Sequence, residues 1–314
     1  MVAALNKITG GNFAGRFAAW WNGQDYVPGQ EPVAESKPKA KPVSAPVSSP
    51  SETSGPVLSS AESRISALET LWGEGRFSPA GGQLYARVTE NLPELEKGAL
   101  DRFGVINTDP AWLTQLISRL GCCPVISEWR PPCETRFGES HPDFDVISGD
   151  LDRPTFTPES LQMVFSQDAF AFADHKSGLA VRVWRSLKPG SQWLVLDTVR
   201  GNAKGNLSPA FASSWAEPQL CRGDEIVEIC ESAGFELARD EDDVTGDVVQ
   251  AYRSSIARFS DEMETRLPEQ LKHVNKAVFM QELGWEAESW KWRQRALAGE
   301  LVHVKLWKFR KPAN

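Results

Sequence analysis

The sequence predicts an α/β protein: a doubly wound, mostly parallel sheet with an antiparallel final strand and a helical insert. Three observations carry this expectation. Short apolar runs alternate with helix-period segments between residues 103 and 238, the pattern of a sheet covered by helices. Some runs, such as Trp193-Leu194-Val195-Leu196, are apolar on both faces, as strands are when helices cover both sides. The chain closes on a period-2 stretch at 301–309, which suits a half-exposed or antiparallel strand.

In chain order, residues 1–26 carry Phe13, Phe17, Trp20 and Trp21 at helical spacing, so a short aromatic helix is expected there. It suits either packing on the main domain or fraying, or else docking to a protein partner or a membrane surface. Residues 27–60 are read as a disordered linker, because Pro28, Pro32, Pro38, Pro42, Pro46, Pro50 and Pro56 interrupt Ala, Ser, Val and Lys. Residues 61–314 form the folded part. Helices are expected at 61–72 and 81–92. Strands are expected at 103–108, 124–128, 145–148, 162–165, 192–196 and 235–238. Helices are expected at 112–120, 179–187 and 224–233, and a helical insert at about 246–296 is read as two helices, 248–259 and 267–295.

Composition excludes several classes. The chain has 314 residues with a net charge of −8, 41% hydrophobic and 24% charged residues, which fits a globular protein. No apolar run approaches the ~20 residues of a membrane span. The acidic balance argues against a general nucleic-acid binder. Cys122, Cys123, Cys133, Cys221 and Cys230 have neither a disulfide-framework nor a zinc spacing. They are read as reduced thiols, so the expected location is cytoplasmic, and no export signal or metal site is expected.

The most specific segment runs from Gln162 to Phe235. After an apolar strand come Ser166 and Gln167, then a helix, then Arg182-Val183-Trp184-Arg185-Ser186-Leu187-Lys188-Pro189-Gly190, then the strand Trp193–Leu196. Ala233-Gly234-Phe235 and the acidic run Asp240 to Thr245 follow. Together these resemble the second half of a class I S-adenosylmethionine-dependent methyltransferase, in which "RVLKPGG" and "AGF" mark the turns flanking the fifth strand and its following helix. The acidic run is similar to that of small-molecule N-methyltransferases. The Lys-Pro-Gly turn has a topological cause, since Pro ends the helix and Gly tolerates a left-handed exit.

The resemblance implies a Rossmann-like methyltransferase fold, S-adenosyl-L-methionine as cofactor and a small-molecule methyl acceptor as partner. It places the cofactor loop at Asn107-Thr108-Asp109-Pro110, where Thr108 and Asp109 would line the site. No glycine follows that strand, although Asp109 and Pro110 make a good helix start. It implies that Glu128, closing the second strand, grips the ribose hydroxyls. Asp150 would contact the adenine amino group with Leu151 beside the ring, and Ser166 and Gln167 would line cofactor and acceptor. In the amine methyltransferases an acceptor-side "H-x-x-DK" is matched by Phe172-Ala173-Asp174-His175-Lys176, with Phe in place of His and His175 in place of Asp. His175 is read as a surface helix-start residue before a general base. Methyl transfer needs no dedicated nucleophile, so no catalytic residue is assigned. A second reading stays open: a domain that keeps the fold, has lost cofactor binding and serves as a scaffold. A dinucleotide oxidoreductase is disfavoured, because no G-x-G-x-x-G follows a strand.

Overall fold

The computed structural model describes residues 58–93 and 102–313. The aromatic segment 1–26 and all but the last three residues of the linker lie outside the described residues.

Two helices lead in. α1 (Ser60–Trp72) starts on a capping box, in which Glu62 N donates to Ser59 Oγ at 3.3 Å and Ser59 N donates to the Glu62 carboxylate at 2.6 Å. α2 (Gly82–Glu90) buries Leu84, Tyr85 and Val88. The sheet begins with β1 (Arg102–Ile106), α3 (Pro110–Leu120), β2 (Cys123–Glu128), α4 (Pro131–Ser140) and β3 (Asp145–Ser148). It continues with β4 (Leu161–Gln167), the single turn α5 (Ala169–Phe172), α6 (Lys176–Ser186) and β5 (Leu187–Arg200). Then come α7 (Pro209–Ser214), α8 (Gly223–Ser232), β6 (Glu236–Asp243), the long helices α9 (Thr245–His273) and α10 (Lys276–Ala298), and β7 (Val302–Arg310).

The strand order is β3-β2-β1-β4-β5-β7-β6. Pairs β1–β2, β1–β4, β2–β3 and β4–β5 are parallel, and β7 inserts antiparallel between β5 and β6. The sheet is therefore doubly wound, and its strand order reverses between β1 and β4. Alternation along β4 shows the two covered faces. Val164 joins the cluster containing Leu179 and Val183 of α6 and Ile226 and Cys230 of α8. Phe165 packs on the opposite side against Trp112 of α3, ring centroids 5.3 Å apart.

Several boundaries differ from the sequence expectation. The insert is two helices, but the break falls at Val274-Asn275, where Asn275 caps α10 by accepting from Val278 N. α9 carries Pro268 within its span, so the Pro did not end the helix. α4 was not foreseen, although Pro131 and Pro132 are suited to a first turn. The strand expected at 235–238 extends through the acidic run to Asp243: Lys305 of β7 meets Glu241 at 3.0 Å and Asp243 at 3.2 Å, and Arg87 of α2 meets Asp242 at 3.6 Å. Opposite charges across neighbouring strands hold a sequence with poor strand propensity in place. The Ala233-Gly234-Phe235 turn is as expected, with Gly234 at φ +103° against the Trp184 indole, where a side chain would be strained and crowded.

Gly104 in β1 has a different reason. A Cβ there would lie 2.7 Å from Leu161 Cδ1, 3.1 Å from Phe156 Cζ and 3.2 Å from Val164 Cγ2. Gly104→Ala is expected to lower unfolding free energy by about 1–3 kcal/mol through overpacking, measured by urea denaturation. A variant as stable as the parent would show that this face of β1 has slack.

Candidate functional site

The site starts from how β1 and β4 end. Asn107 follows β1 with φ +55° and Asp168 follows β4 with φ +47°, left-handed conformations that Asn and Asp tolerate better than most residues. Asn107 Nδ2 donates to the Gln167 carbonyl at 2.7 Å, tying the two exits together. Beyond them lies a cavity of about 280 Å³, lined among others by Asn107, Thr108, Asp109, Trp129, Arg130, Gln167, Asp168, Phe172, Trp215 and Arg293. It sits at the carboxyl ends of strands beside the reversal in strand order, where open α/β sheets bind ligands.

Thr108 and Asp109 are both buried there. Thr108 Oγ1 is buried with no hydrogen-bond partner, an orphan hydroxyl in the cavity wall. Asp109 caps α3, accepting from Trp112 N at 2.9 Å, and also accepts from Phe77 N at 3.2 Å. Burial nevertheless pushes its carboxyl up to about 6, against the opposing pull of those amides and of Arg130 and Arg76. Gln167 reaches the cavity and donates from Nε2 to Ser78 Oγ at 2.9 Å.

The other expected positions lie elsewhere. Glu128 is buried at the end of β2, and among the described residues its carboxylate accepts from the next two residues. Trp129 N and Arg130 N donate to Oε1, Arg130 Nε donates to Oε1 at 2.8 Å, and Arg130 Nη2 donates to Oε2 at 2.8 Å. The same Nη2 also donates to the Thr108 carbonyl at 2.9 Å. The carboxylate is thus satisfied by a bidentate guanidinium. Trp129 Nε1 donates to Asn107 Oδ1, and its ring lies 6.1 Å from that of Phe172. Asp150 is exposed and accepts from Asp152 N, while Leu151 packs in the core. Ser166 is fully buried and accepts from Trp193 Nε1 at 3.0 Å, so it serves the core. His175 is an exposed helix-start residue whose backbone N donates to Asp152 Oδ1. None of Glu128, Asp150, Leu151, Ser166 and His175 lines the cavity.

Sequence reasoning missed the cavity's other charged groups. Asp168 Oδ1 accepts from Thr198 N at 3.0 Å and Thr198 Oγ1 at 2.8 Å, and burial raises its pKa. Asp197 lies behind it, accepting from Phe170 N and Ala171 N, and burial and the Asp168 charge raise it well above the carboxylate range. Cys133 also lines the cavity, but burial pushes its thiol up to about 12 and keeps it neutral. Arg130 could have been suspected from its place two residues after Glu128. Arg293 had no local signal, because only the packing of α10 brings it to the cavity. Of the insert's aromatics, Tyr252 packs between Trp72 and Trp290, Trp285 is exposed and donates to the Ser214 carbonyl, and Trp292 donates to Glu288.

No protein-family model and no curated protein sequence matches the chain. Solved structures do match. Haemonchus contortus phosphoethanolamine N-methyltransferase 2, in complex with phosphomonomethylethanolamine and S-adenosylhomocysteine, superposes with TM-score 0.64 at 20% identity, over 79% of this chain and 57% of that one. The chain therefore spans little more than half the length of that enzyme. A Galdieria sulphuraria protein assigned as a sarcosine dimethylglycine methyltransferase gives TM-score 0.59 at 12% identity, over 80% of this chain and 99% of that one. The [4+2]-cyclase SpnF gives 0.58 at 13%, over 83% of this chain and 99% of that one. The fold is that of the class I S-adenosylmethionine-dependent methyltransferases, and a cyclase shares it.

The Asp109 carboxyl gives a pH prediction. Its folded pKa of about 6 lies above the ordinary 3.8, so the folded chain holds this proton more tightly than the unfolded one. Stability from this group is full at low pH and is lost as pH rises from about 4 to about 6. Asp109→Asn should flatten the fall in urea-unfolding free energy across that window. An unchanged pH slope would rule out a displaced Asp109 titration.

Proposed function

We propose that the chain is an S-adenosylmethionine-dependent methyltransferase acting on a small-molecule acceptor. The observation that carries this reading is the cavity at the exits of β1 and β4, part polar and part aromatic, on a fold shared with cofactor-bound methyltransferases. The residues present suit the cofactor at three positions. Thr108, whose buried hydroxyl has no hydrogen-bond partner among the described residues, Asp109 with its carboxyl and Gln167 with its amide all line the cavity. When bound, S-adenosylmethionine would supply an electrophilic sulfonium methyl. Phe172, Trp129 and Trp215 would exclude water, which favours an in-line displacement by alignment and desolvation. No side chain is required as nucleophile.

The fit is incomplete at Glu128. In its proposed role this carboxylate receives the ribose hydroxyls, yet Arg130 already holds both its oxygens. A nucleoside reaches Glu128 only if Arg130 swings away. This pairing favours a second reading, in which the domain is an inherited scaffold with a closed nucleoside site.

Calorimetric and thermal-shift titration with S-adenosylhomocysteine separates the two. Under the first reading the wild type binds, and a hundredfold excess over Kd adds about 2.7 kcal/mol of stability. Arg130→Ala, which leaves the buried Glu128 unpaired, should start less stable and gain more from the ligand than the wild type. Glu128→Gln should lose affinity. No heat and no shift for either wild type or Arg130→Ala would leave the scaffold reading.

A further inference from the structure

Arg293 is the cavity group that the cofactor reading leaves unused. It is 8% exposed, on the insert helix α10, and it lines both the 280 Å³ cavity and a smaller one of about 30 Å³ beside it. Its guanidinium carbon lies 4.0 Å from the Trp290 ring centre and 4.8 Å from that of Trp215, so two indoles fix its plane. Its two hydrogen bonds among the described residues leave from Nη2, to Ser289 Oγ at 2.8 Å and Glu286 Oε1 at 3.4 Å. Nε is buried without an acceptor among the described residues. Burial lowers the pKa to about 10, so the group remains a cation at neutral pH.

Its neighbours do not neutralise it cleanly. Glu286 forms an ion pair with it at 3.4 Å, but the same oxygen also accepts from Trp72 Nε1 at 3.0 Å, and burial raises the Glu286 pKa. Asp168 faces the same cavities and attracts Arg293 at longer range, but its hydrogen bonds go to Thr198, and it forms no ion pair with Arg293 within 4.0 Å among the described residues. A buried cation with an under-used fork of donors is costly unless something pairs with it. A guanidinium held flat by aromatic rings presents its remaining Nε and Nη1 donors in fixed directions.

We propose that Arg293 is a specificity-determining residue that holds a carboxylate or phosphate group of the acceptor, with Trp215 and Trp290 fixing the guanidinium plane. The proposal deepens the methyltransferase reading by assigning the acceptor an anionic group. Its chemistry does not require the cofactor, so it can fail or stand separately.

The test uses the full chain without cofactor, titrated with inorganic phosphate and, separately, with sodium acetate at matched ionic strength. Tryptophan fluorescence and thermal shift are read together. The expected result is saturable quenching by at least one probe, which identifies the preferred anion, with a parallel rise in Tm. Arg293→Gln should weaken binding about tenfold or more, equivalent to ~1.4 kcal/mol. Arg293→Lys, which keeps the charge but loses the fork, should fall between. Absence of a saturable response to both probes in the wild type would overturn the proposal. So would unchanged binding in a folded Arg293→Gln, or in Arg293→Lys should the Gln variant not fold. S-adenosylhomocysteine is titrated in parallel. Binding of the anions without the nucleoside would retain the anion site and remove the methyltransferase reading, and the reverse result would do the opposite.

Discussion

The hydrogen bond from Asn107 to the Gln167 carbonyl is the contact on which the site depends. It joins the ends of β1 and β4, where strand order reverses and the two halves of the sheet diverge. Both exits are left-handed at residues other than glycine, a conformation of order 1–3 kcal/mol above the favoured regions. Such strain persists only where the surroundings over-determine it. Here Asn107 is held by Gln167 and Trp129, and Asp168 by Thr198. The methyltransferase pattern uses glycine at the corresponding first turn. This chain uses a side-chain amide that bonds across the gap, so the turn is fixed by a partner and not by backbone freedom.

Two ways of housing a buried carboxylate sit side by side at these strand ends. Glu128 has a full shell of donors, including a bidentate guanidinium, and has little to gain from a ligand. Asp109, Asp168 and Asp197 have amide and hydroxyl donors, yet burial outweighs them and raises their pKa values. Perturbed groups concentrated in one cleft are a signature of functional sites, although structural networks produce it too. The contrast sets a satisfied carboxylate at the end of β2 against incompletely compensated ones after β1, after β4 and within β5.

The central sheet was legible because its strands are buried on both faces and therefore continuously apolar, as in Val195 and its neighbours. The antiparallel β7 was legible from its alternation. The insert's break was not, because Asn275 caps a helix amid residues that also suit a helix interior. Within the site, Thr108, Asp109 and Gln167 line the cavity. Ser166 does not, because strand alternation turns it toward the Trp193 indole. Arg293 had to wait for the structure, since nothing in its own segment distinguishes it from a surface arginine of an amphipathic helix.

The cavity's walls come from opposite ends of the described domain. Arg64, Ile65 and Leu68 of α1 face it from one side and Glu286 and Arg293 of α10 from another, and Arg64 donates to Glu282 of α10 at 2.8 Å. These partners are separated by 218 positions in the chain. A contact of that span closes a very long loop, which makes it entropically late in folding. A nascent chain can thus complete the parallel strands well before it owns a recess able to receive anything. Ligand capture is thereby reserved for molecules whose first and last helices have already met.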